Sequence, residues 1–351
     1  MSAAGPEAEL PWAHGGPPLQ ARFKLEPEDF EVDELLGFEP TGAGEHAFLR
    51  IEKRGANTAW IAGRLARIAG VAPVAVGYAG LKDRHAVARQ HFTVHLGQRA
   101  EPDWSALAAD GARVLLATRH QRKLPRGALA GNRFRIVLRE VAGDASAAAS
   151  RLDAIATRGV PNYFGEQRFG RDGGNVAAAR AMFAGRRVDR AQRSLLLSAA
   201  RSRLFNAVLA QRVLDGCWDE AIAGDVFQLD GRGSVFGPEP LDAALQQRVA
   251  AGEIHPTGPL WGAGPLRSAG AAAQREQAAA VAEPAIAAGL EAAGLRQERR
   301  ALRLRVRAFR HAWQAPDRLE LGFELPPGTY ATVVLRELAR LVEEHGGADG
   351  R

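Results

Sequence analysis

The stretch GYAGLKDRHAVARQHFTVH, residues 77–95, sets a carboxylate, Asp83, between a glycine-containing turn and a strand. The two glycines before Asp83 allow the backbone to turn tightly. Phe92 and Val94 alternate with polar residues, as in a half-buried strand. We therefore expect Asp83 to lie on a loop that is held by rigid elements.

The residues that flank Asp83 favour its ionised form. Lys82 and Arg84 are both cations, and an adjacent positive charge stabilises a carboxylate. Asp83 is thus suited to act as a nucleophile or a base. A surface turn with a weak ion pair is the alternative that the same spacing allows.

Charge and composition favour a polyanionic partner. The chain has 351 residues, a net charge of +6 and, among 46 basic residues, only four lysines. Arginine binds phosphate with two parallel hydrogen bonds and stacks on bases, which favours a nucleic acid. An Ala/Arg/Gly-rich composition that reflects mutational bias fits equally well. The length predicts two domains, or one domain with a large insertion.

The cysteine content and the hydropathy pattern point to a cytoplasmic protein. The single cysteine, Cys217, excludes an internal disulfide and a thiolate metal cluster. We find no apolar run of membrane-spanning length, and the N-terminal residues are rich in proline and glycine rather than basic and then apolar. We expect no membrane partner.

Periodicity predicts strands toward both ends of the chain and helices between them. Predicted strands include 30–32, 92–94, 133–138, 302–306 and 319–325. Predicted helices are 57–70, capped by Asn57, and 145–157, 175–184, 188–215, 272–292 and 331–344. Both chain ends would then build one strand-rich domain around a helical insertion.

Several common catalytic motifs are absent from the sequence. It contains no Gly-x-x-x-x-Gly-Lys-Ser/Thr, no His-Glu-x-x-His and no Cys-x-x-Cys. His85, His91 and His95 are spaced poorly for a metal, and structural or RNA-contacting roles suit them better. Hydrolysis through a phosphate-binding loop or through a metal-activated water is therefore not expected.

Five segments together resemble the tRNA pseudouridine synthase D (TruD) family, in the family's order and spacing, from about Ala21 to Leu341. They are Phe23–Phe30, Gly80–Arg84, Gly131–Phe134, Asn162–Gly170 and Gly328–Thr332. The resemblance implies isomerisation of uridine 13 in tRNA to pseudouridine, without cofactor or metal. Its partner would be tRNA, and we expect the protein to be a monomer.

The resemblance also implies an α+β fold. A pseudouridine synthase-type catalytic domain would be built from both chain ends around a mixed sheet and interrupted by a largely helical α/β domain. The expected boundaries are a flexible tail at 1–20, the catalytic domain at 21–157 and 305–351, and the inserted domain at 158–304.

The site residues follow from the resemblance as well. It implies that Asp83 is the catalytic aspartate, which acts on a flipped-out uridine. It places Phe30 and Asn132 at substrate-contacting positions, and Tyr330 where many relatives have phenylalanine. Asn132 could match the uracil edge or orient Asp83. The further candidates for substrate contact are Phe134, which could stack on the base, and the cations Lys24 and Arg84. Whether Asp83 attacks the base or the ribose, or removes a ribose proton, stays open.

Two further groups are candidates for RNA contact. The segment Asn162–Gly170 either binds the RNA backbone or locks the junction between domains. Phosphate contacts are expected at Arg119, Arg122, Lys123, Arg126, Arg133 and Arg135.

Two other functions remain as alternatives. One is an inactive tRNA-binding or RNA-chaperone protein, although such a protein would gain affinity by losing the Asp83 charge. The other is a methyl transferase, for which the sequence offers no Gly-x-Gly-x-x-Gly cofactor motif.

Overall fold

The computed structural model describes residues 10–343, which form helices and strands in the following order. The strands are β1 Leu19–Phe23, β2 Phe30–Leu35, β3 His46–Arg54, β4 Val76–Tyr78, β5 Val87–His95, β6 Ala112–His120, β7 Gly131–Gly143, β8 Val160–Pro161, β9 Phe227–Leu229, β10 Val235–Phe236, β11 Ile254–Leu260, β12 Glu298–Ala301, β13 Arg303–Leu304, β14 Arg307–Ala315, β15 Arg318–Leu325 and β16 Ala339–Glu343. The helices are α1 Thr58–Ile68, α2 Ala145–Arg158, α3 Gly174–Phe183, α4 Arg190–Leu214, α5 Ala243–Ala250, α6 Gly270–Ala282, α7 Pro284–Ala292 and α8 Ala331–Leu338.

The chain divides into two compact units. The sheet unit comprises residues 18–146, 306–328 and the described residues from 339 onward. The helical unit comprises the described residues up to 17, together with 147–305 and 329–338. The domain boundaries expected from the sequence stay a prediction, and part of the expected tail, residues 1–9, lies outside the described residues.

The sheet unit is built on a ten-stranded mixed sheet. Its main path has the order β14-β15-β7-β2-β5-β3-β6, while β1 pairs with β7 and β16, and β4 pairs with β5. The pairs β2–β5 and β1–β16 are parallel. Helix α1 packs on one face through Ile61 and Leu65, which join Leu49, Ile51 and Phe92 in a buried core. A rigid strand thus lies on either side of the loop that carries Asp83.

The helical unit contains α3 to α8, most of α2, and two small sheets. One sheet has the order β10-β9-β11-β12, and β8 pairs with β13. Asp189 caps the 25-residue helix α4 by accepting a hydrogen bond from the Gln192 N–H at 2.8 Å. The helical unit also buries an ion pair, in which Arg212 lies 3.0 Å from Asp225.

Several predicted elements end elsewhere in the structure. The prediction of a helix over 331–344 is wrong beyond Leu338, because the residues from Ala339 pair in parallel with β1. The segment predicted as one helix over 272–292 contains two, since α6 ends at Ala282 and α7 begins at Pro284. Proline lacks an N–H and its ring clashes with the preceding turn, so it is disfavoured inside a helix but fits the first position.

Two further predictions of local structure were wrong. Asn57 precedes α1, but its side chain makes no capping hydrogen bond. In the segment 302–306 only Arg303–Leu304 forms a strand, although Leu302 and Val306 are buried.

Candidate active site

The loop between β4 and β5 carries Asp83 and is anchored by buried polar side chains. The Gln90 amide donates to the Gly80 carbonyl at 2.6 Å. The Thr58 hydroxyl donates to Gln90 at 2.9 Å and accepts from the Lys82 N–H at 3.0 Å. The start of α1 and the buried side of β5 therefore fix the backbone on either side of Leu81.

The Asp83 carboxylate is held ionised by two donors. Lys24 donates its ammonium to Oδ2, and the His85 N–H donates to Oδ1 at 2.9 Å. Burial is the strongest influence and opposes ionisation, but the hydrogen bond and charge of Lys24, with the contribution of His85, hold the pKa of Asp83 below its ordinary value. A carboxylate in this state can act as a nucleophile or as a base.

Lys24 reaches Asp83 from an unusual backbone conformation. Its φ is +61°, in the left-handed region that non-glycine residues rarely adopt. The ammonium lies 5.0 Å from the ring centroid of Phe23 and 4.6 Å from that of Phe30. These rings orient the lysine beside the carboxylate through cation–π attraction.

The partner of Lys82 is not Asp83. The Lys82 ammonium donates to Glu34 at 2.7 Å, and both side chains are buried. Burial opposes ionisation of Glu34, but hydrogen bonds from His91 and the charge of Lys82 keep its pKa below the ordinary value. The sequence indicated that Lys82 stabilises the ionised form of Asp83. In the structure that cation is Lys24, which lies 59 residues earlier in the chain than Asp83.

The expected site residues Phe30 and Phe134 lie in the core of the sheet unit. Each is 6 % exposed, and their ring centroids are 5.9 Å apart. Phe134 also packs on Phe323 at 5.4 Å. In the described state, Phe30 supports Lys24 and Phe134 supports Phe30, while direct contact of either ring with a base stays a prediction.

Asn132 carries a buried polar atom without a hydrogen-bond partner. It lies on β7, opposite Glu34 of β2 and Leu325 of β15. Its Oδ1 is buried and accepts no hydrogen bond from any described residue. An orphaned acceptor in a native structure calls for a functional or structural reason.

The remaining two expected site residues are placed differently. Arg84 is exposed, and its side chain makes no hydrogen bond or ion pair with a described residue. Tyr330 belongs to the helical unit, where its ring lies 6.4 Å from that of Phe164. Its hydroxyl accepts a hydrogen bond from Arg168 at 3.1 Å.

The segment Asn162–Gly170 uses its polar groups within the helical unit. The Asn162 amide donates to the Ala301 carbonyl at 2.8 Å, and its oxygen accepts from Arg300 at 2.6 Å. Arg168 also donates to Ser198 at 2.9 Å. These contacts hold the segment itself in place, and an RNA contact there stays a prediction.

Several of the basic residues expected to bind phosphate are engaged in ion pairs. Arg119 pairs with Glu101 at 2.9 Å, and Arg133 pairs with Glu324 at 2.8 Å. Arg135 donates to Glu31 at 2.8 Å and to Glu320 at 2.6 Å. Because carboxylates already neutralise the charge of these arginines, they would attract phosphate less strongly than unpaired arginines.

The other three basic residues of that set lie near the connection from β6 to β7. The Arg126 guanidinium stacks over the Tyr78 ring at 3.7 Å, and Lys123 donates to the Val74 carbonyl. Arg122 is exposed. These three cations are exposed and make no ion pair with a described carboxylate, and phosphate contact at any of the six residues stays a prediction.

Sequence reasoning missed the buried polar residues that hold the loop, above all Lys53. The side chain of Lys53 is fully buried, and its ammonium donates to the carbonyls of Ala56 and Asp83. Lys53 follows Leu49 and Ile51 at the period of two that marks the buried face of β3. A lysine in register with core residues was the signal that could have found it.

Within residues 10–343, no group of three or more His, Cys, Asp or Glu side chains is arranged to hold a metal ion. No helix there is long and apolar enough to cross a membrane.

Comparison with known proteins gives consistent matches over almost the whole chain. The family model described as tRNA pseudouridine synthase D (TruD) matches residues 11–177 and 175–338. A protein named tRNA pseudouridine synthase D from Xanthomonas campestris pv. campestris (strain B100) is 56 % identical over 350 residues, 95 % of each chain. One of the same name from Methylococcus capsulatus is 53 % identical over 332 residues, 94 % of each chain.

A solved structure from Methanosarcina mazei, also described as a tRNA pseudouridine synthase D, superimposes with a TM-score of 0.71. The match covers 93 % of this chain and 95 % of that one at 21 % identity, so it shows the fold alone. It confirms the α+β class expected from the sequence.

Proposed function

The chain belongs to the tRNA pseudouridine synthase D family, and we propose that it converts uridine 13 of tRNA to pseudouridine with Asp83 as the catalytic carboxylate. Membership of the family makes it an isomerase that acts on uridine in tRNA. The position in the tRNA and the role of Asp83 are the parts that this proposal adds.

The observation that carries the role of Asp83 is its pair of donors. Lys24 and the His85 N–H keep the carboxylate ionised in a partly buried loop. A carboxylate that attacks the base or the ribose, or that removes a ribose proton, must in each case be ionised. The proposal is therefore independent of which of these three steps occurs first.

The reaction balances without a co-reactant. The bond between ribose C1′ and uracil N1 breaks, and a bond between C1′ and C5 forms. The proton on C5 is lost while N1 gains one, so no atom or electron enters or leaves overall. The cofactor-free and metal-free mechanism inferred from the family resemblance is consistent with this balance.

Access to the target nucleotide requires that the uridine leave its stack. Enzymes that act on a base in a folded nucleic acid extrude it into a pocket and hold it by stacking and by hydrogen bonds to its edge. We assign the buried Oδ1 of Asn132 as an acceptor for the uracil N3–H, because this oxygen has no partner among the described residues. The aromatic residues Phe30, Phe134 and Tyr330 are the proposed packing partners.

The charge of the chain supports tRNA as the partner. The net charge is +6, and the exposed cations Arg122, Lys123 and Arg126 are proposed phosphate contacts, while Arg84 stays a proposed substrate contact. A tRNA-modifying isomerase of this kind would work in the cytoplasm as a monomer.

The proposal is tested by mapping pseudouridine in unmodified tRNA transcripts after incubation with the purified chain in chelator, with nothing else added. Carbodiimide-dependent primer extension should report pseudouridine at position 13, as a stop at the neighbouring nucleotide on its 3′ side. Modification of another uridine would overturn the position, and binding without modification would favour an inactive RNA-binding protein.

A further inference from the structure

Lys53 is a fully buried lysine beneath the loop that carries Asp83. It lies on β3, and its cross-strand neighbours are Ala88 on β5 and Ala112 on β6. Among the described residues no carboxylate lies within ion-pair distance of its ammonium, which instead donates to the Ala56 carbonyl at 2.6 Å and to the Asp83 carbonyl at 2.9 Å.

A buried ammonium without a paired carboxylate is costly for folding, because burial disfavours the charged form. Burial lowers the pKa of Lys53 to about 8; the charge of Asp83 raises the pKa and that of Lys82 lowers it. A leucine or methionine would fill the same position on the buried face of β3 at lower cost. The chain therefore retains this lysine for something other than packing.

The two hydrogen bonds of Lys53 supply that reason. Ala56 lies just before α1, so the ammonium ties the backbone of Asp83 to the start of a helix. The Asp83 carboxylate itself is held by Lys24. Asp83 is thus clamped by one lysine at its side chain and by another at its main chain.

We infer that Lys53 is a positioning residue that fixes the main chain of Asp83 and supplies positive charge beneath it. The inference rests on the proposed function, since it assigns Lys53 a role in the reaction of Asp83. A displacement of about 1 Å at a reacting group can reduce a rate by about 100-fold. Loss of Lys53 should therefore slow the chemical step more than it weakens tRNA binding.

The composition of the chain gives independent support. Only four of its 46 basic residues are lysines. Three of them, Lys24, Lys53 and Lys82, donate to Asp83 or to Glu34 around the same loop. A compact ammonium fits a single carbonyl or carboxylate oxygen inside the protein, where the larger guanidinium fork does not.

The charge of Lys53 also predicts a pH dependence. Asp83 and Lys82 are the charged groups that act on it, while its cross-strand neighbours Ala88 and Ala112 carry no charge. As the pH rises through about 8, Lys53 loses its proton and the loop loses a positive charge. The rate of the chemical step in the native chain should fall across that range.

The test compares the native chain with Lys53→Met and with Arg99→Met in single-turnover pseudouridine formation on tRNA, from about pH 6 to about pH 9.5. Arg99 is the matched control, because it also donates to a carbonyl, that of Gly70 at 3.1 Å, but is exposed. Tight binding to tRNA and a cooperative urea transition identify the variants that are folded.

We expect Lys53→Met to lose about 100-fold in the single-turnover rate, to keep tRNA affinity within about twofold, and to lose the decline through about pH 8. Arg99→Met should keep both the rate and the decline. A folded Lys53→Met with a rate close to that of the native chain would overturn the inference.

Two further outcomes separate this inference from the proposed function. If Lys53→Met does not fold, the profile of the native chain decides: a decline through about pH 8 supports the role of Lys53, and a flat profile overturns it. A native chain that forms no pseudouridine overturns the proposed function itself. An active native chain whose rate does not depend on Lys53 overturns only the present inference.

Discussion

Lys24 holds the Asp83 carboxylate from a left-handed backbone, with φ at +61°. For a residue with a Cβ this conformation costs on the order of 1 kcal/mol or more. The chain keeps this strain at the residue that pairs with Asp83, a pattern typical of functional sites. Lys24 is therefore the residue whose removal should change the titration of Asp83 most.

Replacing Lys24 with methionine should raise the pKa of Asp83, because the hydrogen bond and charge that oppose the effect of burial are removed. In the native chain the lowered pKa stabilises the folded state at pH values above about 3.8, and this contribution is lost as the pH falls through the folded-state pKa. In Lys24→Met, the acid limb of the pH–rate profile should therefore shift to higher pH. Carboxyl NMR of Asp83 gives the same shift directly, and an unchanged acid limb would contradict the pairing.

The buried pair of Lys82 and Glu34 predicts a large stability effect. Removal of one partner leaves an uncompensated buried charge, so Lys82→Met should reduce the free energy of unfolding by about 3 to 5 kcal/mol. The double variant Lys82→Met/Glu34→Leu should recover much of this loss. Urea denaturation of the native chain, of Lys82→Met, of Glu34→Leu and of the double variant measures the coupling. Equal losses in Lys82→Met and in the double variant would argue against it.

Asn132 allows stability and activity to be separated. Asn132→Leu removes a buried acceptor that has no partner in the free protein, so we expect stability to stay within about 1 kcal/mol of the native value or to rise. Pseudouridine formation should fall, since the proposed acceptor for the uracil edge is gone. Thermal unfolding and turnover are measured on the same samples, and full turnover by a stable variant would remove Asn132 from the site.

The hydroxyl of Tyr330 is expected to matter less than its ring. Tyr330→Phe removes only the acceptor for Arg168 and should reduce stability by about 1 kcal/mol, while turnover changes little. Tyr330→Ala also removes the packing against Phe164 and should reduce turnover strongly. Equal loss of turnover in the two variants would show that the hydroxyl, not the ring, is what the site uses.

The position of Asp83 and its strand could be predicted from the sequence because the signals are local. Glycines before the loop and alternation at Phe92 and Val94 gave the turn and β5, both of which the structure contains. The family resemblance is likewise confirmed by the family model and by relatives over 95 % of the chain.

What could not be predicted depends on partners that are distant in the chain. The pairing of Lys24 with Asp83 spans 59 residues, and that of Lys82 with Glu34 spans 48. Likewise, Ala339 begins a strand rather than continuing a helix because it pairs with Leu19 of β1. Local periodicity carries no information on such contacts, so neighbouring charges in the sequence were paired instead.

The measurement that tests the central claim most directly is pseudouridine formation at position 13 of tRNA by the native chain and by Asp83→Asn. The substitution is nearly isosteric and removes the charge. Its single oxygen can accept from Lys24 or from the His85 N–H, which in the native chain donate to different carboxylate oxygens. We predict that both proteins bind tRNA with similar affinity and that only the native chain forms pseudouridine. Formation of pseudouridine by a folded, tRNA-binding Asp83→Asn at the native rate would contradict the assignment of Asp83 as the catalytic carboxylate.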